Sequence, residues 1–148
     1  GDGDAMALEQ ASRDVTERVP QLDLHCMELA RRLEHHFAVR QVLHPKDCRN
    51  FKGLMRSDAG HGCLLSFVLN DAARTPRVFD ALQVSKGPSL GTHFTLACPY
   101  TQLAHYDELP WAEAQGVPAH LLRISVGLEA PEDLWQRFQD ALNGAMEG

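Results

Sequence analysis

Two short apolar segments constrain the fold most, because each alternates with the period of two that is typical of β-strands. In the first, both alternating faces are apolar: Cys63, Leu65, Phe67 and Leu69 on one face, and Leu64, Ser66 and Val68 on the other. A strand with two apolar faces has to be covered on both sides, which predicts a central strand of the sheet. In the second, the faces differ: Leu122, Ile124, Val126 and Leu128 on one, and Leu121, Arg123, Ser125 and Gly127 on the other.

Arg123 is the charged exception within this second strand. Ser125 and Gly127, two and four residues further on, are small and share its face, so the space above the guanidinium is open. A planar guanidinium binds a carboxylate with two parallel hydrogen bonds, which makes Arg123 a candidate carboxylate-binding residue. The alternative is a structural salt bridge to a nearby acidic side chain, for which the candidates are Glu129, Glu132 and Asp133.

Helical spacing frames these strands at both ends of the chain. Residues 6–37 have inward positions at intervals of three and four, and Pro20 is expected to kink or restart this long helix. The inward positions are Leu22, Cys26, Leu29, Leu33 and Phe37. Near the other end, Pro131 suits the first turn of a helix, and Gly144 is expected to stop it. The inward stripe of that helix is Leu134, Phe138 and Leu142.

The remaining segments complete an α+β pattern. We expect a frayed or disordered start over residues 1–10 and one domain over residues 11–148. Residues 39–44 predict a short strand, 46–62 a surface loop, 74–82 a short helix and 94–98 a further strand that includes Phe94. The predicted fold is a two-layer α+β domain with a long N-terminal helix and a mostly antiparallel sheet of three or four strands.

Composition excludes several classes of function. The 148 residues carry 14 Lys and Arg against 20 Asp and Glu, a formal net charge of −6, which disfavours nucleic-acid and acidic-membrane partners. No apolar run approaches the roughly 20 residues that span a bilayer, and no secretion signal opens the chain. A cytoplasmic location is therefore expected.

The cysteines and histidines are too scattered to predict a metal site. Cys26, Cys48, Cys63 and Cys98 form no CxxC or CxxH pair, and the eight histidines have no chelating spacing. Because no export signal is present and Cys26 and Cys63 lie in apolar runs, we expect buried free thiols rather than disulfides.

Beyond residue patterns, the chain resembles the C-terminal part of the Cys/Met metabolism family of pyridoxal-phosphate enzymes. The resemblance covers about residues 11–142, and its most specific parts are SLG at 89–91 and LLRISVGLE at 121–129. That family includes cystathionine gamma-synthase, cystathionine gamma-lyase, methionine gamma-lyase and the homoserine sulfhydrylases. It implies the small C-terminal domain of a fold-type I enzyme that eliminates or replaces groups at the γ-carbon of sulfur amino acids.

The resemblance also assigns candidate site residues. It implies that Arg123 binds the α-carboxylate of the amino-acid substrate and that Ser89 and Leu90 lie beside it. Gly91, Ser125 and His105 are possible supporting residues, and Ser125 and Gly127 are expected to be small so that the substrate can approach. For His105, a packing or loop-fixing role is favoured over acid or base chemistry.

Departures from the family pattern leave the substrate open. Members that make or cleave cystathionine often have glutamate where this chain has Pro88, and CPYTQLAH replaces the common HPATMTH. These variants are similar to a subgroup of cystathionine gamma-synthase-like proteins, which favours that reaction without fixing whether the enzyme is a synthase or a lyase.

The lysines do not match the cofactor-binding pattern of the family. Lys46, Lys52 and Lys86 are the only lysines, and none stands in a Schiff-base context. The resemblance therefore implies that pyridoxal phosphate is bound by a missing N-terminal domain, that the isolated chain is inactive and binds no cofactor, and that the full enzyme is a homo-oligomer. Lys86 is expected to be solvated in a Gly-Pro turn. The alternative is a stand-alone amino-acid-binding or assembly module without catalysis.

Overall fold

The computed structural model describes residues 1–147. Its seven α-helices are α1 Asp2–Ser12, α2 Val15–Glu34, α3 Arg49–Leu54, α4 Thr75–Ala81, α5 Tyr100–Ala104, α6 Leu109–Ala114 and α7 Pro131–Met146. Its five strands are β1 Val39–Leu43, β2 Leu64–Leu69, β3 Ser85–Lys86, β4 Leu96–Cys98 and β5 Leu122–Ser125. Single 3-10 turns lie at Pro45–Asp47, Ala72–Arg74 and Tyr106–Glu108. No helix of residues 1–147 has the length and hydropathy that crossing a membrane requires.

The strands form one sheet in the order β1-β2-β5-β4-β3, so that the last strand of the chain lies in the middle. The β1–β2, β2–β5 and β4–β5 pairs are antiparallel, and only β3 and β4 run parallel. The predicted α+β class and mostly antiparallel sheet are therefore confirmed. The predicted count of three or four strands is one short, because β3 has two exposed residues and no alternation that a sequence pattern could reveal.

One face of the sheet packs against the long helices and forms the core. Phe67 of β2 meets Phe138 of α7 edge to face, with ring centroids 6.3 Å apart. Leu33 of α2 and Ile124 of β5 are fully buried in the same cluster. The opposite face is less covered than the two-sided apolar pattern predicts, since Leu64 and Ser66 are only partly buried there.

The N-terminal helical region differs from its sequence prediction in three ways. Residues 2–12 form helix α1 where a frayed start is expected, and the chain breaks at Arg13 and Asp14 rather than at Pro20. Pro20 lies inside α2. Helix α2 ends at Glu34, so Phe37 falls beyond it and is 70% exposed, although its spacing places it on the inward stripe.

Two further boundaries are corrected. Phe94 precedes β4 and is half exposed, because the strand begins only at Leu96. Gly144 lies within α7, which continues to Met146, so this glycine does not end the helix. Its φ is not positive, and a single glycine near a helix end lowers helix stability without terminating it.

The loop between α3 and β2 is anchored to α2 by a carboxylate. Asp23 Oδ1 accepts hydrogen bonds from the backbone N–H groups of His61 and, at 2.9 Å, Gly62. A Cβ atom on Gly60 would lie 2.5 Å from Asp23 Cγ, so glycine is needed for the loop to approach this closely. The pattern-based interpretation of a plain surface loop is thus incomplete at its DAGHG end.

Replacing Asp23 by alanine should lower the free energy of unfolding by about 2 kcal/mol, because two backbone donors lose a charged acceptor. Urea denaturation of the 148-residue chain measures this change. The matched control is Asp58→Ala in the same loop, where an exposed pair with Arg56 at 3.5 Å should contribute less than about 0.5 kcal/mol. Equal losses in the two variants would show that the anchor is not formed.

All four cysteines are free. Cys26 and Cys98 are buried and Cys63 is partly buried, as expected, whereas Cys48 is exposed. Burial is the main cause that raises the pKa of the Cys26 thiol to about 12, and burial also raises the pKa of Cys98. Both thiols therefore carry little thiolate near neutral pH.

We expect iodoacetamide at pH 8 to alkylate Cys48 in the native chain and to spare Cys26 and Cys98, because the thiolate is the nucleophile and needs access to the reagent. Peptide mass spectrometry after a timed reaction measures how much of each cysteine has been alkylated. All four should react in urea, and labelling of Cys26 at the rate of Cys48 under native conditions would contradict the buried placement.

Candidate substrate-binding site

Arg123 lies on the less covered face of the central strand. In the register of the sheet its neighbours are Ser66 on β2 and Cys98 on β4. Both neighbours are small, so no cross-strand side chain covers the guanidinium, which lies above the sheet and is partly buried. The open space that the sequence predicts above Arg123 stays a prediction, which the two short cross-strand residues favour.

The guanidinium has three defined contacts. Its Nη2 donates to the backbone carbonyl of Pro88 and, at 3.3 Å, to that of Ser89. Its central carbon lies 5.3 Å from the centre of the Tyr100 ring, a cation–π distance. Its Nε is buried and has no partner. A buried donor without a partner is uncommon in folded proteins.

The predicted structural alternative, a salt bridge from Arg123, is wrong. Glu129 accepts instead from the backbone and hydroxyl of Thr95, and Glu132 pairs with Arg32. Within residues 1–147 no carboxylate lies within 4 Å of the Arg123 nitrogens. The guanidinium is thus held by carbonyl groups and an aromatic ring, and its charge is not neutralised by its own chain.

Strand β5 holds the Ser89–Leu90–Gly91 segment at two points. Arg123 holds its start through the carbonyls of Pro88 and Ser89, and the Ser125 hydroxyl accepts from Gly91 N–H at 3.0 Å. Gly91 has a φ of +71°, which favours glycine. Leu90 and Ser89 are exposed. The structure therefore brings Arg123, Ser89, Leu90, Gly91 and Ser125 together.

The small residues Ser125, at the end of β5, and Gly127, just beyond it, both have packing roles. Ser125 is buried and occupied with the Gly91 amide. At Gly127, a Cβ atom would lie 2.5 Å from the backbone carbonyl carbon of Phe94, so the two segments pass too closely for any side chain. These contacts give each residue a local steric reason to be small, and the expected approach of the substrate past them stays a prediction.

His105 fixes a loop. Its Nδ1 lies 2.7 Å from Glu108 Oε1, and its ring is 6.0 Å from that of Tyr100 and 6.2 Å from that of Trp111. This arrangement matches the packing role that the sequence favours over acid or base chemistry. The pair to Glu108 spans three residues and holds the turn that connects α5 to α6.

The lysines of this chain do not fit the aldehyde group of pyridoxal phosphate. Lys46 Nζ is paired with Glu34 at 2.6 Å, and Lys52 lies in α3, which follows the edge strand β1. Lys86 is exposed, as expected, and its Nζ donates to the carbonyls of Phe79 and Leu82 and lies over the Phe79 ring. Burial lowers the pKa of Lys86.

Sequence reasoning missed Tyr100 and the Thr95–Glu129 pair. Thr95 is fully buried, its hydroxyl donates to Glu129 at 2.8 Å, and the same oxygen accepts from Gly127 N–H at 3.0 Å. Tyr100 stands in CPYTQLAH, the segment already recognised as unusual for the family, which was the available signal. Among residues 1–147 no cluster of three or more metal-ligating side chains is present.

Comparison with known proteins identifies the family. The family model described as Cys/Met metabolism PLP-dependent enzyme matches residues 3–143, nearly the whole chain. This chain belongs to the Cys/Met metabolism family of PLP-dependent enzymes. The family that the SLG and LRISVG motifs indicate is thus confirmed.

Relatives within the Cys/Met metabolism family include cystathionine gamma-synthases. The Neurospora crassa enzyme is 41% identical over 147 residues, which cover 97% of this chain and 24% of that protein. The Saccharomyces cerevisiae enzyme is 36% identical, with the same 97% and 24% covered. This chain therefore spans about a quarter of the length of these curated relatives.

The fold is that of a solved member of the family. A crystal structure of cystathionine gamma synthase from Xanthomonas oryzae pv. oryzae in complex with cystathionine matches with a TM-score of 0.80 and 25% identity. The match covers 91% of this chain and 36% of that chain. The C-terminal-domain fold class predicted from the sequence agrees with this likeness to part of a larger enzyme.

Proposed function

We propose that this chain supplies the substrate α-carboxylate site of a PLP-dependent enzyme of sulfur amino-acid metabolism, of the cystathionine gamma-synthase type. The observation that carries the proposal is the partly buried Arg123 guanidinium, which has no carboxylate within 4 Å among residues 1–147 and whose Nη1 makes no hydrogen bond there. The family supports the substrate class, since a solved member is in complex with cystathionine, an amino acid.

Arg123 would bind the carboxylate and fix its orientation. The backbone carbonyls of Pro88 and Ser89 hold Nη2, which restrains one end of the guanidinium before substrate arrives. Nη1 makes no hydrogen bond within residues 1–147 and is not among the buried polar atoms, so a carboxylate that accepts from it gains a charge-assisted hydrogen bond. Holding the carboxylate fixes where the α-carbon lies relative to the reacting group. The neighbouring segment, Ser89–Leu90–Gly91, forms one wall of the site.

We propose that the cofactor binds to a part of the enzyme outside these residues. Bound there, pyridoxal phosphate supplies the electron sink for chemistry at the amino acid. The three lysines of this chain have other contacts or lie away from Arg123, so we expect the isolated chain to be inactive. In the full enzyme we expect a cytoplasmic homo-oligomer in which this domain binds the substrate and the other domain carries the cofactor.

The test compares two ligands that differ only in the carboxylate. In the full enzyme containing this chain, the Kd of L-methionine and of 3-(methylthio)propylamine, its decarboxylated form, is measured by titrating the cofactor absorbance. We expect the amino acid to bind about 100-fold more tightly than the amine, a contribution of about 2.7 kcal/mol from charge-assisted hydrogen bonds.

Arg123→Met should bring this ratio of Kd values close to one, because it weakens the binding of L-methionine and leaves the binding of the amine unchanged. Arg123→Lys keeps the charge but loses the planar fork, and should recover only part of the ratio. Arg137→Met is the matched control, since Arg137 lies on α7 and donates to Gln83 rather than to the site. A full ratio retained in Arg123→Met would refute the carboxylate role.

A further inference from the structure

The aromatic ring beneath Arg123 has no assigned role. Tyr100 begins α5 directly after Pro99, and its ring centre lies 5.3 Å from the guanidinium carbon of Arg123. The ring is partly buried and meets the edge of the His105 ring at 6.0 Å. His105 is in turn bound to Glu108 at 2.7 Å. The Tyr100 ring thus contacts both the His105 ring and the guanidinium of Arg123, the candidate carboxylate-binding group.

The other contacts of Arg123 leave its orientation incomplete. The carbonyls of Pro88 and Ser89 hold only Nη2, and Nε has no partner. A guanidinium held at one nitrogen can still rotate about that contact. Ser66 and Cys98, its cross-strand neighbours, are too short to restrict this rotation. The Tyr100 ring, over which the guanidinium carbon lies at 5.3 Å, is the remaining restraint, because guanidinium groups favour contact with aromatic faces.

We propose that Tyr100 is a positioning residue that holds the Arg123 guanidinium in the orientation that binds the substrate carboxylate. This inference rests on the proposed function of Arg123. Because the restraint comes from the ring face and not from the hydroxyl, phenylalanine can replace Tyr100 and an aliphatic residue cannot. His105 and Glu108 act one step further back by keeping the Tyr100 ring in place.

The experiment measures the same ligand pair in the full enzyme. Tyr100→Leu should raise the Kd of L-methionine about tenfold, within the range of cation–π contributions, and leave the Kd of 3-(methylthio)propylamine within twofold. Tyr100→Phe should keep both values within twofold of the unmodified enzyme. Tyr106→Leu is the matched control, since Tyr106 is 72% exposed and should change neither value.

A merely structural role would give a different result. A variant that only destabilises the fold lowers the fraction of active protein and affects both ligands equally, whereas loss of positioning affects the carboxylate-bearing ligand alone. Equal Kd values for Tyr100→Leu and the unmodified enzyme, or a Tyr100→Phe variant as weak as Tyr100→Leu, would overturn the inference. If Arg123→Met also keeps its carboxylate preference, the proposed function itself fails. If Arg123→Met loses the preference for the carboxylate-bearing ligand but Tyr100→Leu keeps it in full, the proposed function stands and only the positioning role of Tyr100 fails.

A second readout tests the contact directly. In the 148-residue chain, the buried Arg123 Nε–H should give a nitrogen-15 NMR signal that is shifted by the Tyr100 ring current. Tyr100→Leu should move this signal and speed its exchange with water, and Tyr100→Phe should restore both. An unchanged Arg123 signal in Tyr100→Leu would show that the ring does not restrain the guanidinium.

Discussion

Replacing Gly127 by alanine should lower the free energy of unfolding by about 3 kcal/mol, although the change adds a single methyl group. The new Cβ would lie 2.5 Å from the backbone carbonyl carbon of Phe94 and 2.6 Å from its Cα. Backbone atoms cannot rotate away as a side chain does. The strand cannot shift either, since Val126 N–H is bonded to Cys63 at 2.8 Å and Leu128 N–H to His93 at 2.7 Å.

Urea denaturation of the 148-residue chain measures the change in the free energy of unfolding caused by Gly127→Ala. A matched substitution at a second glycine, Gly144, is expected to change this free energy in the opposite direction. Gly144 lies within α7 with no heavy atom within 4 Å of an added Cβ. Gly144→Ala should therefore raise the free energy of unfolding by up to about 1 kcal/mol, through helix propensity. A neutral Gly127→Ala variant would show that the Phe94 segment is free to move aside.

Replacing Glu129 by alanine should also lower the free energy of unfolding by about 3 kcal/mol, because the change leaves two buried donors of Thr95 without an acceptor. Thr95 is fully buried, and its N–H and hydroxyl donate to the Glu129 carboxylate at 2.7 and 2.8 Å. The same hydroxyl oxygen receives Gly127 N–H at 3.0 Å. The carboxylate thus ties the approach to β4 to the exit from β5, on either side of the candidate site.

Glu129→Gln separates the hydrogen bonds from the charge. Glutamine keeps an acceptor for Thr95 N–H and a second group near the hydroxyl, so we expect it to recover all but about 1 kcal/mol of the loss. Thermal unfolding of the two variants gives the comparison, and Glu147→Ala, at the exposed end of the chain, is the control and should be neutral within about 0.5 kcal/mol. If Glu129→Gln were as unstable as Glu129→Ala, the hydrogen-bond explanation would be wrong.

The fold could be predicted from the sequence where burial leaves a periodic trace. Leu122 and Ile124 alternate with Arg123, and Leu134 and Phe138 recur at helical spacing, so strand β5 and helix α7 were identified near their true positions. The same helical spacing gave a wrong prediction at Phe37, which continues the apolar stripe of α2 in sequence but lies beyond the end of the helix and is exposed. Periodicity indicates which face is apolar but not where the element stops.

The contacts that complete the candidate site leave no such trace. Arg123 could be identified as a carboxylate-binding candidate because a charge in an apolar strand is conspicuous, but its contacts are the carbonyls of Pro88 and Ser89 and the ring of Tyr100. Backbone carbonyls have no sequence signature, and Tyr100 is 23 residues away along the chain. Asp23 and its loop are similarly distant. Such contacts depend on the way the chain folds back on itself.

The position of β5 in the sheet determines at which stage of chain synthesis the complete sheet can assemble. This strand is synthesised after the other four, yet in the sheet that residues 1–147 form it lies between β2 and β4 and pairs with both. Until residues 122–125 leave the ribosome, β2 and β4 each present an unpaired edge, and such edges favour aggregation. Assembly of the sheet is therefore a late event, and the strand that carries Arg123 closes it.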